Sequence, residues 1–197
     1  MASRDDILRA VRTNQPPPAE PPDLAAGRWI TYPDRRRQFA ELLHAVGGRC
    51  VSVADLRELN QVLAAMPEHA AAKKVVSLVS GAGMPTVDLG AVEDPHDLED
   101  VDFAVLPGRF GVAENGAVWV TDDGMRHRAV AFIVQHLALV LPAAEIVETM
   151  HQAYGRLSFD RPGFGVFISG PSKTADIEQS LVIGAHGPRS LTVFLMG

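Results

Sequence analysis

Two stretches of this sequence and one scattered set combine residue types suited to chemistry. The first, Ser169-Gly170-Pro171-Ser172-Lys173-Thr174, follows the apolar run Phe164–Ile168 and precedes a segment that reads as a short helix over Thr174–Leu181. A glycine-bearing turn into a helix start leaves backbone N–H groups free, and Ser172, Lys173 and Thr174 add donors, a set suited to an anion. The same residues also serve as plain helix caps with no ligand at all. A Walker A loop is excluded, because it needs glycines where Ser172 and Phe167 stand. A nucleophile elbow is excluded too, since Thr174 replaces its closing glycine and no Asp and His are evidently placed to serve Ser172. The second stretch is Glu114 before Asn115-Gly116. A carboxylate at the end of an extended segment has the chemistry of a nucleophile or base, whereas Asn-Gly by itself is an ordinary turn former. The scattered set is His96, His127, His136, His151 and His186 with Asp176 and Glu178. None of these histidines pairs at i, i+4 spacing, and Asp176 and Glu178, two apart on a helix, point in different directions, so no metal is expected.

Regular elements must carry these residues. Ser3 and Asp6 start a short helix with Ile7, Leu8 and Val11 on one face. The five prolines between Asn14 and Pro22 then impose an extended strap, suited to tethering that helix to a neighbour. From Asp34 helix and strand alternate. Asp34 caps a helix with Phe39, Leu42, Leu43 and Val46 that ends at Gly47-Gly48, and strand Arg49–Val53 follows. Asp55 and Glu58 begin a helix with Leu56, Leu59, Val62 and Leu63 on its buried stripe. Strands are expected over Lys74–Val79, Asp102–Leu106, Ala117–Val120, His136–Leu141, Phe164–Ile168 and Leu191–Leu195. Helices are expected over His127–Gln135 and from Pro142 to about Tyr154. Strands separated by helices predict crossover units, hence an α/β fold with a mixed, largely parallel sheet flanked by helices, and a local hairpin at Asn115-Gly116. The predicted organisation is an N-terminal helix and strap over residues 1–33 and one domain over residues 34–197. Ligands in open sheets of this class sit beyond the carboxyl ends of strands, which draws attention to all of these turns. Gly81-Ala82-Gly83 suggests close backbone approach, but Thr86 stands where a dinucleotide fingerprint has its third glycine, so a Rossmann cofactor is not expected.

Composition narrows the classes. A net charge of −6 argues against nucleic acid as the main partner, which would need a basic stripe. Arg35-Arg36-Arg37 is the densest basic run and reads as a solvated helix face. Cys50 is the sole cysteine, which excludes an internal disulfide, fits a reducing compartment and leaves this chain unable to hold an iron–sulfur cluster alone. Its flanks read as a buried strand, so a structural thiol is expected rather than a nucleophile. No signal peptide or membrane span is expected, and the cytoplasm is the default location.

The stretch from Ile168 through Ser169-Gly170-Pro171-Ser172-Lys173-Thr174-Ala175-Asp176-Ile177 to Glu178 resembles the signature of the LUD-domain (LutC/YkgG) family of lactate-utilisation proteins. Gly184-Ala185-His186-Gly187-Pro188 resembles that family's Gly-x-His-Gly-Pro turn, and Gly111-Val112-Ala113-Glu114-Asn115-Gly116 its Gly-(Ile/Val)-Ala-Glu-x-Gly turn. The likeness runs from about Asp102 to Gly197. Lys173 departs from it by standing where an Arg is common, keeping the charge and losing bidentate geometry. The resemblance implies a fold like the NagB/RpiA/CoA-transferase group. It also implies a non-redox role in oxidising L-lactate to pyruvate beside iron–sulfur partner subunits, with no cofactor in this chain and a small carboxylate or other anion as ligand. On this reading Ser169, Gly170, Ser172, Lys173 and Thr174 bind the anion, with Asp176, Glu178 and His186 behind them. The alternative is a stand-alone small-molecule-binding protein or CoA-transferase-like enzyme. Its Glu114-Asn115-Gly116 triplet resembles that of CoA transferases whose Glu takes the acyl group, so Glu114 would be catalytic.

Overall fold

The computed structural model describes residues 3–23, 27, 29–158, 160, 163–174 and 181–197. Helix α1 (Arg4–Thr13) starts at Ser3, whose hydroxyl accepts the Asp6 N–H while the Asp6 carboxylate accepts the Ser3 N–H. None of its residues is buried, and the proline-bearing stretch that follows runs without helix or strand. The strap's far end meets the body, where Trp29 stacks on His151 and the Tyr32 N–H reaches Glu148.

Helix α2 (Arg35–Ala45), β1 (Arg49–Val53) and α3 (Leu56–Ala65) lie where the apolar spacing puts them. Asp34 and Asp55 cap the two helices by accepting the N–H groups of Arg37 and Glu58. After α4 (Pro67–Ala70) come β2 (Val75–Ser77), β3 (Phe103–Pro107), β4 (Phe110–Val112) and β5 (Ala117–Thr121). The short α5 (Val130–Ile133) leads into β6 (His136–Pro142), then β7 (Ile146–Val147), α6 (Met150–Gly155) and β8 (Gly165–Ile168). The two-residue strands β9 (Lys173–Thr174) and β10 (Val182–Ile183) precede β11 (Ser190–Met196).

Five parallel strands form the central sheet in the order β1-β11-β6-β3-β2. Period-two alternation buries both faces. Ala104, Leu106, Leu139 and Val193 face one core, shared with Phe39 and Leu43 of α2, while Phe103, Val105, Val140 and Phe194 face Leu59 and Leu63 of α3. The α/β architecture is as expected, with one refinement. The antiparallel strands are not part of the central sheet but form a second one, β7-β4-β5-β8, whose Val118 and Val120 pack into the first core. The hairpin expected at Asn115-Gly116 forms, and it covers part of the central sheet. No helix among the described residues is long and apolar enough to cross a membrane.

Three helix expectations change. Pro142 closes β6 instead of opening a helix; the chain turns through Glu145, pairs briefly as β7 with β4, and starts α6 only at the Thr149 cap. Within His127–Gln135 only Val130–Ile133 is helical, because the His127 ring is tied to the Val92 carbonyl and the chain before it follows that anchor. Lys173–Thr174 pairs antiparallel with Val182–Ile183, so the Ser169–Thr174 turn leaves in extended form rather than as a helix start. Residues 175–180 of that expected helix lie outside the described residues.

Gly116 shows what the second sheet requires. It has φ +66°, and a Cβ there would lie 2.7 Å from the Leu43 backbone nitrogen, so the hairpin turn rests directly on α2. Gly124 has a similar φ of +72° with nothing within 4 Å. Gly124→Ala is expected to cost about 1 kcal/mol from backbone strain alone. Gly116→Ala is expected to cost at least about 2 kcal/mol more, because the neighbour is backbone that has no rotamer to escape into. Urea unfolding of the two variants measures the difference, and equal losses would show that α2 is free to retreat.

Stability also depends on acid. Burial pushes the His136 imidazole below its ordinary pKa, and the backbone N–H groups of Lys74 and Lys73 hold the Asp102 carboxyl below its ordinary range. In both cases unfolding takes up protons. Stability is expected to fall as pH drops below about 6.5, the unfolded histidine value, and again below about 4, the unfolded aspartate value. Urea midpoints recorded across that range test this, and His136→Gln should remove the upper step only.

Candidate functional site

Two of the three resemblance motifs meet at the last turn of α2, and the third joins them through Ser172. The turn after β8 meets the helix through Gly170, which has φ +74° and sits so close that a Cβ would lie 2.6 Å from the Val46 carbonyl oxygen. The Lys173 ammonium donates to that same carbonyl. Its charge therefore complements the negative end of the α2 dipole. The Ser169 hydroxyl donates to the Asn115 carbonyl at 2.8 Å, tying this turn to the β4–β5 hairpin.

Ser172 links the two C-terminal motifs through its backbone. Its N–H donates to the Pro188 carbonyl at 2.9 Å and its carbonyl accepts the Gly184 N–H at 2.9 Å, so both ends of the Gly184–Pro188 turn are held by one residue. Gly187 is fitted to this arrangement, because a Cβ there would lie 2.9 Å from the Ser172 Cβ. Between the two turns lies a cavity of about 250 Å³. Ser169, Gly170, Ser172 and His186 line it together, over a floor that includes Leu137 and Leu191. The Ser172 hydroxyl has no hydrogen-bond partner among the described residues, nor do the backbone N–H groups of Gly170 and Gly187. These donors, with the His186 imidazole, can receive an oxyanion.

The structure thus joins four of the sequence-selected residues and separates Lys173, Thr174 and Glu114 from them. Lys173 is engaged at α2 and Thr174 lies in the β9–β10 ribbon, neither among the residues lining the cavity. The Glu114 carboxylate accepts the Met150 N–H at 2.7 Å, completing the cap of α6. Asp176 and Glu178 lie outside the described residues. Among the described residues no group of three or more His, Cys, Asp or Glu is placed to hold a metal. Cys50 lies in β1, with its thiol pushed up to about 11 by burial, which suits a structural role.

The expected location also changes. Leu137 and Leu191 stand at the amino ends of β6 and β11, so the cavity lies on the edge opposite to the one where open parallel sheets ordinarily bind ligands. The rule misled because β8, the strand leading into the turn, belongs to the antiparallel sheet. Sequence reasoning also missed Phe132, an aromatic wall of this cavity, which carries no signal because it was assigned to a helix longer than the one that forms. Phe167, the alternate position to Val166 and Ile168, turns its ring to the opposite face of β8, against Phe110, Trp119 and Tyr154.

Comparison with known proteins adds a second line. Residues 91–196 match the LUD domain. Lactate utilization protein C 1 of Bacillus mycoides is 31% identical over 102 residues, 49% of this chain and 44% of that protein. Lactate utilization protein C of Exiguobacterium sp. is 38% identical over 103 residues, again 49% and 44% of the two chains. The chain thus spans less than half the length of these curated relatives. A crystal structure of a DUF162 family protein from Deinococcus radiodurans superposes with a TM-score of 0.58 at 17% identity, over 83% of this chain and 96% of that one, which establishes a shared fold.

The contacts of Lys173 predict a structural effect. Lys173→Met is expected to lower stability by about 1 kcal/mol through the lost charge-assisted bond at the α2 terminus. Chemical denaturation checks it, and an unchanged midpoint would remove Lys173 from the scaffold of the site.

Proposed function

Because this chain belongs to the LUD domain family, we propose that it serves lactate utilisation as a non-redox subunit that binds a small carboxylate between the Ser169–Ser172 and Gly184–Pro188 turns. The observation that carries this reading is the cavity that Ser172 and His186, from two separate motifs, line together, with the Ser172 hydroxyl free of any partner among the described residues. A carboxylate needs two or more donors converging from different directions, and this junction offers them. The names of the relatives support the pathway.

Oxidation of L-lactate to pyruvate removes two electrons, which need an acceptor. With one cysteine in the sequence, and that thiol half-buried in β1, the residues of this chain do not fit an iron–sulfur cluster. The proposed division of labour places clusters and electron transfer in partner subunits, in the cytoplasm, and leaves carboxylate binding to this chain. The competing reading, a CoA-transferase-like enzyme with Glu114 as nucleophile, has less support, since that carboxylate is already engaged as a helix cap.

Deletion of the gene is expected to abolish growth on L-lactate while sparing growth on pyruvate. Complementation with Ser172→Ala should restore growth only in part. Unimpaired growth of the deletion strain on L-lactate would overturn the assignment.

A further inference from the structure

The walls of the cavity say more about its guest than the donors do. Lactate has a single methyl group as its apolar part. The cavity of about 250 Å³ instead presents mainly apolar surface, with Phe132, Ile168, Leu137 and Leu191 around the Ser172 and His186 side chains. Its volume corresponds to about eight molecules of liquid water at about 30 Å³ each, more than the six heavy atoms of lactate would displace. Ser169 adds little polarity, because its hydroxyl is already bonded to the Asn115 carbonyl.

Phe132 makes the opening. It is 40% exposed, and together with His186 and Gly187 it also lines an adjoining cavity of about 410 Å³. Its ring packs edge-on against Phe164, centroids 6.1 Å apart, and the Arg128 guanidinium lies 5.3 Å from the far ring. The aromatic wall is therefore braced from outside before any ligand arrives, so little ordering is needed on binding. Solvent-facing aromatic surface of this kind gains most from a hydrocarbon chain laid against it.

We propose that the cavity takes a monocarboxylate with an apolar body larger than that of lactate. Its carboxylate lies toward Ser172 and His186, and its hydrocarbon runs along Phe132, Ile168 and Leu191. This rests on the reading of the same cavity as a carboxylate site and specifies the ligand class. A dicarboxylate is disfavoured, since its second charge would be buried against apolar walls with no donor to receive it.

The test is isothermal titration of the full chain with the unbranched 2-hydroxy acids from lactate to 2-hydroxyhexanoate, and with malate. Affinity is expected to rise about threefold to fourfold per added methylene, and malate is expected not to bind. Phe132→Ala, at a partly exposed position where folding is readily confirmed by its unfolding curve, should flatten the series. Ser172→Ala should weaken every member by a similar factor and leave the gradient intact. If lactate binds as well as 2-hydroxyhexanoate, or malate binds as well as either, the larger-guest proposal is overturned while the carboxylate site survives. If no acid binds, both are overturned.

Discussion

Close approach of two turns and one strand to a single helix is the constraint on which this structure turns. Gly116 lets the β4–β5 hairpin rest on the backbone of Leu42 and Leu43, Gly170 lets the β8 turn reach the Val46 carbonyl, and Lys173 closes the contact with its ammonium group. Gly111 belongs to the same surface, since a Cβ there would lie 2.9 Å from the ring of Phe39. A side chain at any of these positions would hold α2 away from the second sheet, and the first core is built between them. The helix lies outside the segment that matches the LUD domain, yet glycines inside that segment are shaped against it. The motif therefore acts as a packing surface as well as lining a cavity.

That dual use explains the division of residues at the cavity. Of the polar side chains in the Ser169–Thr174 turn, Ser169 and Lys173 are engaged in holding the turn against the hairpin and α2, and the Ser172 hydroxyl has no partner among the described residues. Ser172 does both, with its backbone fastening the two turns and its hydroxyl open to the cavity. A scaffold that fixes the backbone of a donor while leaving its side chain free offers a preorganised partner for an oxyanion. The ammonium of Lys173 contributes through the helix dipole and the shape of the turn, and its residue is not among those lining the cavity.

Much of the scaffold was legible because its signals are local. Asp34, Asp55 and Ser3 are helix caps whose effect reaches only two or three residues, and all three start helices as read. The strand at Arg49–Val53 and the apolar runs at His136 and Leu191 are long or well bounded enough to stand without context. Elements that depend on a distant partner were misread. Ile146–Val147 is a strand only because β4 is beside it, and Lys173–Thr174 only because Val182–Ile183 returns to it. In each of these pairs the deciding hydrogen bonds come from the partner segment, which local periodicity does not specify.

By itself the sequence determined the α/β class, the helix starts, the inability of a one-cysteine chain to hold an iron–sulfur cluster, and the three motifs that mark the functional region. These follow from residue chemistry and from forces acting within a few residues. Only the tertiary structure decided that the antiparallel strands form their own sheet, that Glu114 and Lys173 face helix ends, and that Ser172 and His186 share a cavity at the amino edge of the parallel sheet. The physical reason is that a side chain's partner is fixed by which backbones can come close. Here that closeness is set by glycines meeting a helix more than seventy residues away in sequence.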